Sequence, residues 1–175
     1  MISINKGTNG AYMSNVQFSG VDNSVYQKIC VEGSEMYITD DELTSSDYVI
    51  VFAGTNDCAH NIKIGDVNDI SPDTFYGALN LICNKLKERA PSAKIAFITP
   101  YLRANIEEKS QNHVNAIKNV CVKYNIPVFD NAQNGGIDWS NPDDIEKWTL
   151  GDSYHLNEEG QEMASYKYEE FLKNI

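Results

Sequence analysis

Two runs constrain this chain more than anything else in it: YVIVFA at residues 48–53 and KIAFIT at residues 94–99. Both are apolar nearly throughout and rich in the β-branched and aromatic residues that suit a pleated strand. The apolar–polar alternation of a half-buried strand is missing. Such runs predict strands buried on both faces, as in a parallel sheet covered by helices. Residues 2–4 and 127–129 read as two further strands.

Helical patterns fill the intervals. In residues 71–91, Ser71 is expected as N-cap and Pro72 at the first helical position. Phe75, Leu79, Ile82 and Leu86 form one apolar stripe, Lys85, Lys87 and Arg89 suit the negative end of the helix dipole, and Pro91 stops the helix. Residues 105–125 repeat the logic, with Asn105 and Glu108 as a capping pair and Val114, Ile117, Cys121 and Tyr124 as the stripe. A last helix begins near Asn157 and places Ala164, Tyr168, Phe171 and Ile175 on one face. Shorter helices are expected at residues 25–31 and 40–44. Strands alternating with helices predict an α/β fold with a parallel sheet.

The 175 residues suit one domain spanning residues 1–175, and 42% hydrophobic with 22% charged content is ordinary for a globular chain. Apolar runs of about six residues are too short to cross a membrane, so no membrane partner is expected. The start MISINKGTNG lacks the long apolar stretch of a secretory signal, which predicts a cytoplasmic location for the chain as written. Net charge is −11, with the acid concentrated between Asp138 and Glu170. That surface repels phosphate backbones and argues against nucleic acid as a partner. Cys30, Cys58, Cys83 and Cys121 form no C-x-x-C pair and no zinc-type cluster, so free thiols and no metal are expected.

In parallel α/β sheets, ligands sit beyond the carboxyl ends of the strands. The loops that follow strands therefore carry the candidate chemistry. NKGTNG (residues 5–10) and GTND (residues 54–57) are rich in glycine and asparagine. The backbone N–H of Gly10 and the side-chain amide of Asn56 are the types of donor that stabilise charge developing on a carbonyl oxygen. The third element is GDSYHLNEEG, in which Asp152 and His155 stand three residues apart. A neutral imidazole accepts a hydroxyl proton, and a carboxylate holds it in the right tautomer. His60, in a polar loop, and His113, on a helix, carry no assigned role.

N-x-G-x-x-G at residues 5–10, G-x-N-D at residues 54–57 and D-x-x-H at residues 152–155, in that order, resemble three of the four blocks of the SGNH hydrolases, also called the GDSL lipase/acylhydrolase family. The segments TFYGALNLICNKL and KIAFITPYLR are also similar to the bacterial branch. The resemblance implies a flavodoxin-like three-layer α/β/α sandwich. It implies hydrolysis of acyl or acetyl esters of small molecules, lipids or sugars without metal or other cofactor. On that pattern His155 is the general base, Asp152 its orienting acid, Gly10 and Asn56 the oxyanion donors, and Asp57 a brace for the loop.

The family's first block, a strand ending in Gly-Asp-Ser with the serine as nucleophile, has no counterpart. The one Gly-Asp-Ser, at residues 151–153, overlaps the D-x-x-H block, and Ser3, Ser14 and Ser19 lack a strand-to-helix turn. The nucleophile is therefore unknown, and weak or no hydrolysis is expected. A strand with its crossover helix is roughly 30 residues, and about that much of the family's start is not matched. The expectation is that residues 2–4 shift to pair beside residues 48–53, or that another chain fills the slot, which would make a homo-oligomer natural. Two alternatives stay open: a non-catalytic carbohydrate- or ester-binding module using Tyr12, Tyr101, Trp139, Trp148 and Tyr154, and a fragment completed by an upstream segment or a partner chain.

Overall fold

The computed structural model describes residues 5–16, 23–102, 107–152 and 154–175. The strand expected at residues 2–4 lies outside them, as do Ser3, Ser19, Asn105 and Ser153. Helices α1 (Val25–Cys30) and α2 (Asp40–Thr44) precede strand β1 (Tyr48–Phe52) and helices α3 (Thr55–Ala59) and α4 (Phe75–Arg89). Then come β2 (Lys94–Ile98), α5 (Glu107–Tyr124), β3 (Val128–Phe129), α6 (Asn131–Asn134), α7 (Pro142–Trp148) and α8 (Glu158–Lys173). The strands form a parallel sheet in the order β1-β2-β3, with Val49 beside Ile95 and Phe97 beside Val128.

The sheet is covered unequally. On one face, Val51, Ile95 and Phe97 join Leu79, Ile82 and Leu86 of α4 and Ile117 and Val120 of α5 in the main core. On the other, the Phe129 ring lies 5.2 Å from Tyr168 and 5.6 Å from Phe171 of α8. This is the three-layer α/β/α arrangement. Strand β2 is buried along residues 95–98, as a continuous apolar run predicts. Strand β1 is not. Tyr48, Ile50 and Phe52 keep 37%, 43% and 49% of their surface exposed. Its outer face is half-covered because α8 reaches only its end, where Phe52 meets Tyr168 at 6.1 Å.

The start of α4 also departs from expectation. Thr74, not Ser71, is the N-cap, and its Oγ1 accepts from the Gly77 N–H at 3.2 Å. Ser71 and Pro72 instead belong to a turn closed by the Thr74 N–H on the Ser71 carbonyl at 3.2 Å. That turn lies flat on the helix because residue 77 is glycine. A Cβ there would stand 2.0 Å from the Ser71 carbonyl oxygen. The cap expected at Asn157 is present, its Oδ1 accepting from the Gly160 N–H at 2.9 Å.

Candidate active site

Strand β1 ends at Phe52, and Gly54 turns the chain into α3 at φ +115°, a conformation that favours glycine. Space adds to the demand. A Cβ on Gly54 would meet the Phe75 ring at 3.1 Å and Pro100 at 3.2 Å. This turn puts Thr55, Asn56 and Asp57 in the first turn of α3 at the carboxyl rim of the sheet.

Asp57 is wholly buried and tied to the N-terminal segment. Its carboxylate accepts from the Met13 N–H at 2.7 Å, the Ser14 N–H at 3.0 Å and the Ser14 hydroxyl at 2.6 Å. Burial raises its pKa, and these bonds oppose the rise. Ser14, itself buried and donating to Asp57, is thus part of the brace. The Asn56 Nδ2 donates to the Ala11 carbonyl at 2.9 Å. An amide carries two such hydrogens, so one remains for another acceptor. Gly10, at φ +74°, sits in the tight turn whose Ala11 N–H donates to the Thr8 carbonyl at 3.2 Å. The buried ammonium of Lys28 anchors that loop by donating to the Lys6 carbonyl at 2.6 Å and to the Thr8 hydroxyl.

Asp152 and His155 meet as the sequence predicts. The loop between α7 and α8 is pinched by an antiparallel bridge between Thr149 and Leu156, with the Leu150 N–H on the His155 carbonyl at 2.9 Å. Within it Gly151 turns at φ +82°. The Asp152 Oδ1 accepts from the Tyr154 and His155 N–H groups at 2.9 and 2.8 Å, and its Oδ2 lies 2.6 Å from the His155 Nδ1. The imidazole beside Asp152, helped by these two amides, holds its carboxyl down to about 2. With Nδ1 as donor to Asp152, Nε2 is the nitrogen left to accept a proton.

A cavity of about 430 Å³ opens on His155. Phe52, Thr55, Tyr101, Trp139, Leu150, Tyr154, Leu156 and Gln161 complete its lining. Tyr101 is fixed by a relay: its hydroxyl lies 3.1 Å from that of Tyr168, which donates to Asn131 Oδ1 at 3.0 Å, while Asn131 Nδ2 donates to the Thr99 carbonyl at 2.7 Å. Gly10 and Asn56 are absent from the described lining. Asn56 adjoins the cavity through its chain neighbour Thr55, and the Gly10 turn is held to Asn56 through Ala11. A second cavity of about 510 Å³ shares Trp139 in its lining and is edged by Glu107, Asp138 and Asp144.

Of the five aromatic residues considered from the sequence, Tyr101, Trp139 and Tyr154 line the His155 cavity. Tyr12 is buried beside His60, with its hydroxyl 3.0 Å from Nδ1, and Trp148 is stacked under Lys147. His113 is a core residue against Phe75, its Nδ1 2.8 Å from the Lys109 carbonyl. Phe52, Thr55, Leu150, Leu156 and Gln161 escaped sequence reasoning. Phe52 stands just before the GTND block and Thr55 within it, and Leu150 and Leu156 flank the D-x-x-H block, so nearness to the motifs was the available signal. Among the described residues no group of acidic, histidine and cysteine side chains is arranged to hold a metal ion.

The profile of the GDSL-like Lipase/Acylhydrolase family matches residues 10–163. A solved protein from Lactobacillus plantarum superposes with a TM-score of 0.78 at 19% identity, covering 94% of this chain and 77% of its own. Two Bacteroides structures assigned provisionally as GDSL-like lipases also match. The one from Bacteroides ovatus has a TM-score of 0.62, 19% identity and coverage of 95% and 69%. The one from Bacteroides uniformis has a TM-score of 0.64, 19% identity and coverage of 95% and 67%. Comparison with curated proteins gives no match.

Proposed function

The chain belongs to the GDSL-like lipase/acylhydrolase family, and from that premise we propose that the His155 cavity is the acyl-ester site of a hydrolase scaffold that is weak or inactive on its own. The paired Asp152 and His155 at its rim carry this reading. His155 Nε2 takes a proton from an attacking water, and Asp152 keeps Nδ1 protonated and steadies the imidazolium. As the ester carbonyl becomes tetrahedral, its oxygen draws on the Gly10 N–H and the second Asn56 amide hydrogen. His155 then returns the proton to the departing alcohol. The substrates are acyl or acetyl esters of small molecules, lipids or sugars. The apolar and aromatic wall of Phe52, Leu150, Leu156 and Trp139 takes the acyl or ring portion.

The lining supports the expected weakness. Among the described residues the cavity offers His155 neither serine nor cysteine. Losing one member of a catalytic unit costs orders of magnitude in rate. A short acetate ester at millimolar concentration should shift the imidazole signals of His155 in NMR, while turnover of a chromogenic acetate stays near the buffer rate. An unmoved imidazole sinks the ester-site reading. Turnover well above buffer that vanishes in His155→Ala sinks the claim of weakness.

A non-catalytic role has one observation in its favour: four aromatic side chains, Phe52, Tyr101, Trp139 and Tyr154, face one cavity. Aromatic faces stack on sugar rings as readily as on acyl chains. Calorimetric titration with neutral glycans separates the readings, and an absence of heat rules the second one out.

A further inference from the structure

Thr8, Thr39, Thr44, Thr74, Thr99 and Thr149 each spend the hydroxyl on a hydrogen bond within the protein. Thr55 does not. Among the described residues its hydroxyl has no partner, although the residue is half-buried and lines the His155 cavity. It also directly precedes Asn56, the amide assigned to the ester oxygen. Other polar groups of the same wall are acceptors. The Thr99 carbonyl can only accept, so Asn131 turns Nδ2 toward it at 2.7 Å and Oδ1 toward Tyr168 at 3.0 Å. That contact takes the one hydroxyl hydrogen of Tyr168. In the 3.1 Å contact between the two phenols Tyr101 is therefore the donor, and its oxygen keeps lone pairs but no hydrogen. Gln161 uses Nε2 on the Leu156 carbonyl at 3.0 Å, which leaves Oε1 to accept.

We propose that Thr55 selects the ester: its hydroxyl bonds to a free hydroxyl that the substrate carries next to the ester group, on the acyl or the alcohol side. A wall whose polar groups accept is satisfied by a ligand O–H and not by a plain hydrocarbon chain, and the Thr55 hydroxyl can take either side of that bond. Sites built to hydrogen-bond a ligand hydroxyl reject the analogue that lacks it, because the site's own polar group is then left without a partner. Thr55 is only half-buried, so water softens that penalty and the preference is modest. The inference rests on the ester-site reading and narrows it from acyl esters in general to hydroxylated ones.

The test uses two pairs of esters that differ only by a methyl against a hydroxyl: ethyl propionate with ethyl glycolate, and propyl acetate with 2-hydroxyethyl acetate. Each is titrated into the whole chain and followed by the His155 imidazole signals in NMR. At least one hydroxylated ester should bind about fivefold more tightly than its partner, the size of one net hydrogen bond. The pair that responds tells which side of the ester carries the hydroxyl. Thr55→Val should bring that pair to equal affinity and leave the methyl member's affinity as in the parent, while Thr55→Ser should restore the preference. Where Thr55→Val does not fold, Thr55→Ala takes its place. Equal affinities within both pairs overturn the proposal and leave the ester site intact. So does a preference that survives Thr55→Val, or one that Thr55→Ser fails to restore. A preference that vanishes in Tyr101→Phe and not in Thr55→Val overturns it in favour of the phenol relay. If none of the four esters moves the imidazole, the ester site falls and this inference with it.

Discussion

At the scale of single residues, the Asp152–His155 contact is the most informative feature. Both side chains are well exposed, at 40% and 69%. The carboxyl of Asp152 drops from the ordinary 3.8 to about 2 because the imidazole and two backbone amides favour its charged form. The sign follows. A depressed folded pKa means that the contact contributes above the ordinary carboxylate range and fades as pH falls toward 2. Carboxyl carbon shifts of Asp152 followed by NMR should give a midpoint near 2. In His155→Ala the midpoint should climb toward 3.8 and stop short, since the Tyr154 and residue 155 amides remain. A midpoint that ignores the substitution would show that the imidazole does not hold the carboxylate, and the general-base assignment would lose its support.

At the scale of elements, the site is assembled by tethers between segments distant in sequence. Asp57 on α3 collects Met13 and Ser14 from the N-terminal segment, and Asn56 collects Ala11. Asp57→Ala strands two amides and a hydroxyl in the interior. Hydrogen bonds to a buried charge contribute more than neutral ones, and loss of the acceptor is expected to cost about 2–4 kcal/mol. Urea unfolding should show it as a lower midpoint with unchanged slope, and exchange at Met13 and Ser14 should quicken beyond the global change. A loss below about 1 kcal/mol would mean that the segment is held by its apolar contacts, chiefly buried Met13. Such tethers are not written in local pattern, which explains what was legible. The helices at Val25–Cys30 and Asp40–Thr44 and the three described strands could be read because each has its own cap or apolar run. The α4 boundary could not. Ser71-Pro72 is as good a local start as Thr74, and the choice is made by a turn packing on Gly77. The helix α7 was missed although Asn141 caps it, Pro142 opens it and Asp143 and Asp144 follow. That signal was available. Of the quoted motif blocks, Thr55, Tyr154 and His155 reach the cavity lining, while its aromatic wall depends on how loops meet across the rim.

For the whole molecule, the decisive asymmetry lies between the two faces of the sheet. The face under α4 and α5 holds a continuous core, whereas the α8 face leaves half of β1 in solvent. Continuous apolar strands had implied cover on both sides. The difference arises because, among the described residues, β1 is an edge strand and only α8 serves that face. Stability should therefore be concentrated in the α4–α5 layer, and the cysteines report on it. Cys83 on α4 and Cys121 on α5 are fully buried between the helices, and Cys58 on α3 is buried beside Ser110, 3.6 Å away. Cys30 on α1 is only partly covered, yet burial pushes its thiol up to about 12, so it carries little thiolate at neutral or mildly alkaline pH. A disulfide-exchange reagent at pH 8 should find all four thiols in denaturant and react slowly with the native protein, Cys30 first. The rates for Cys83 and Cys121 should match each other and rise together with urea, because exposing either requires the same two helices to part. Separate rates for those two thiols, or their fast reaction in native buffer, would show that the layer opens locally and that the sheet's covered face is not the stable half of the molecule.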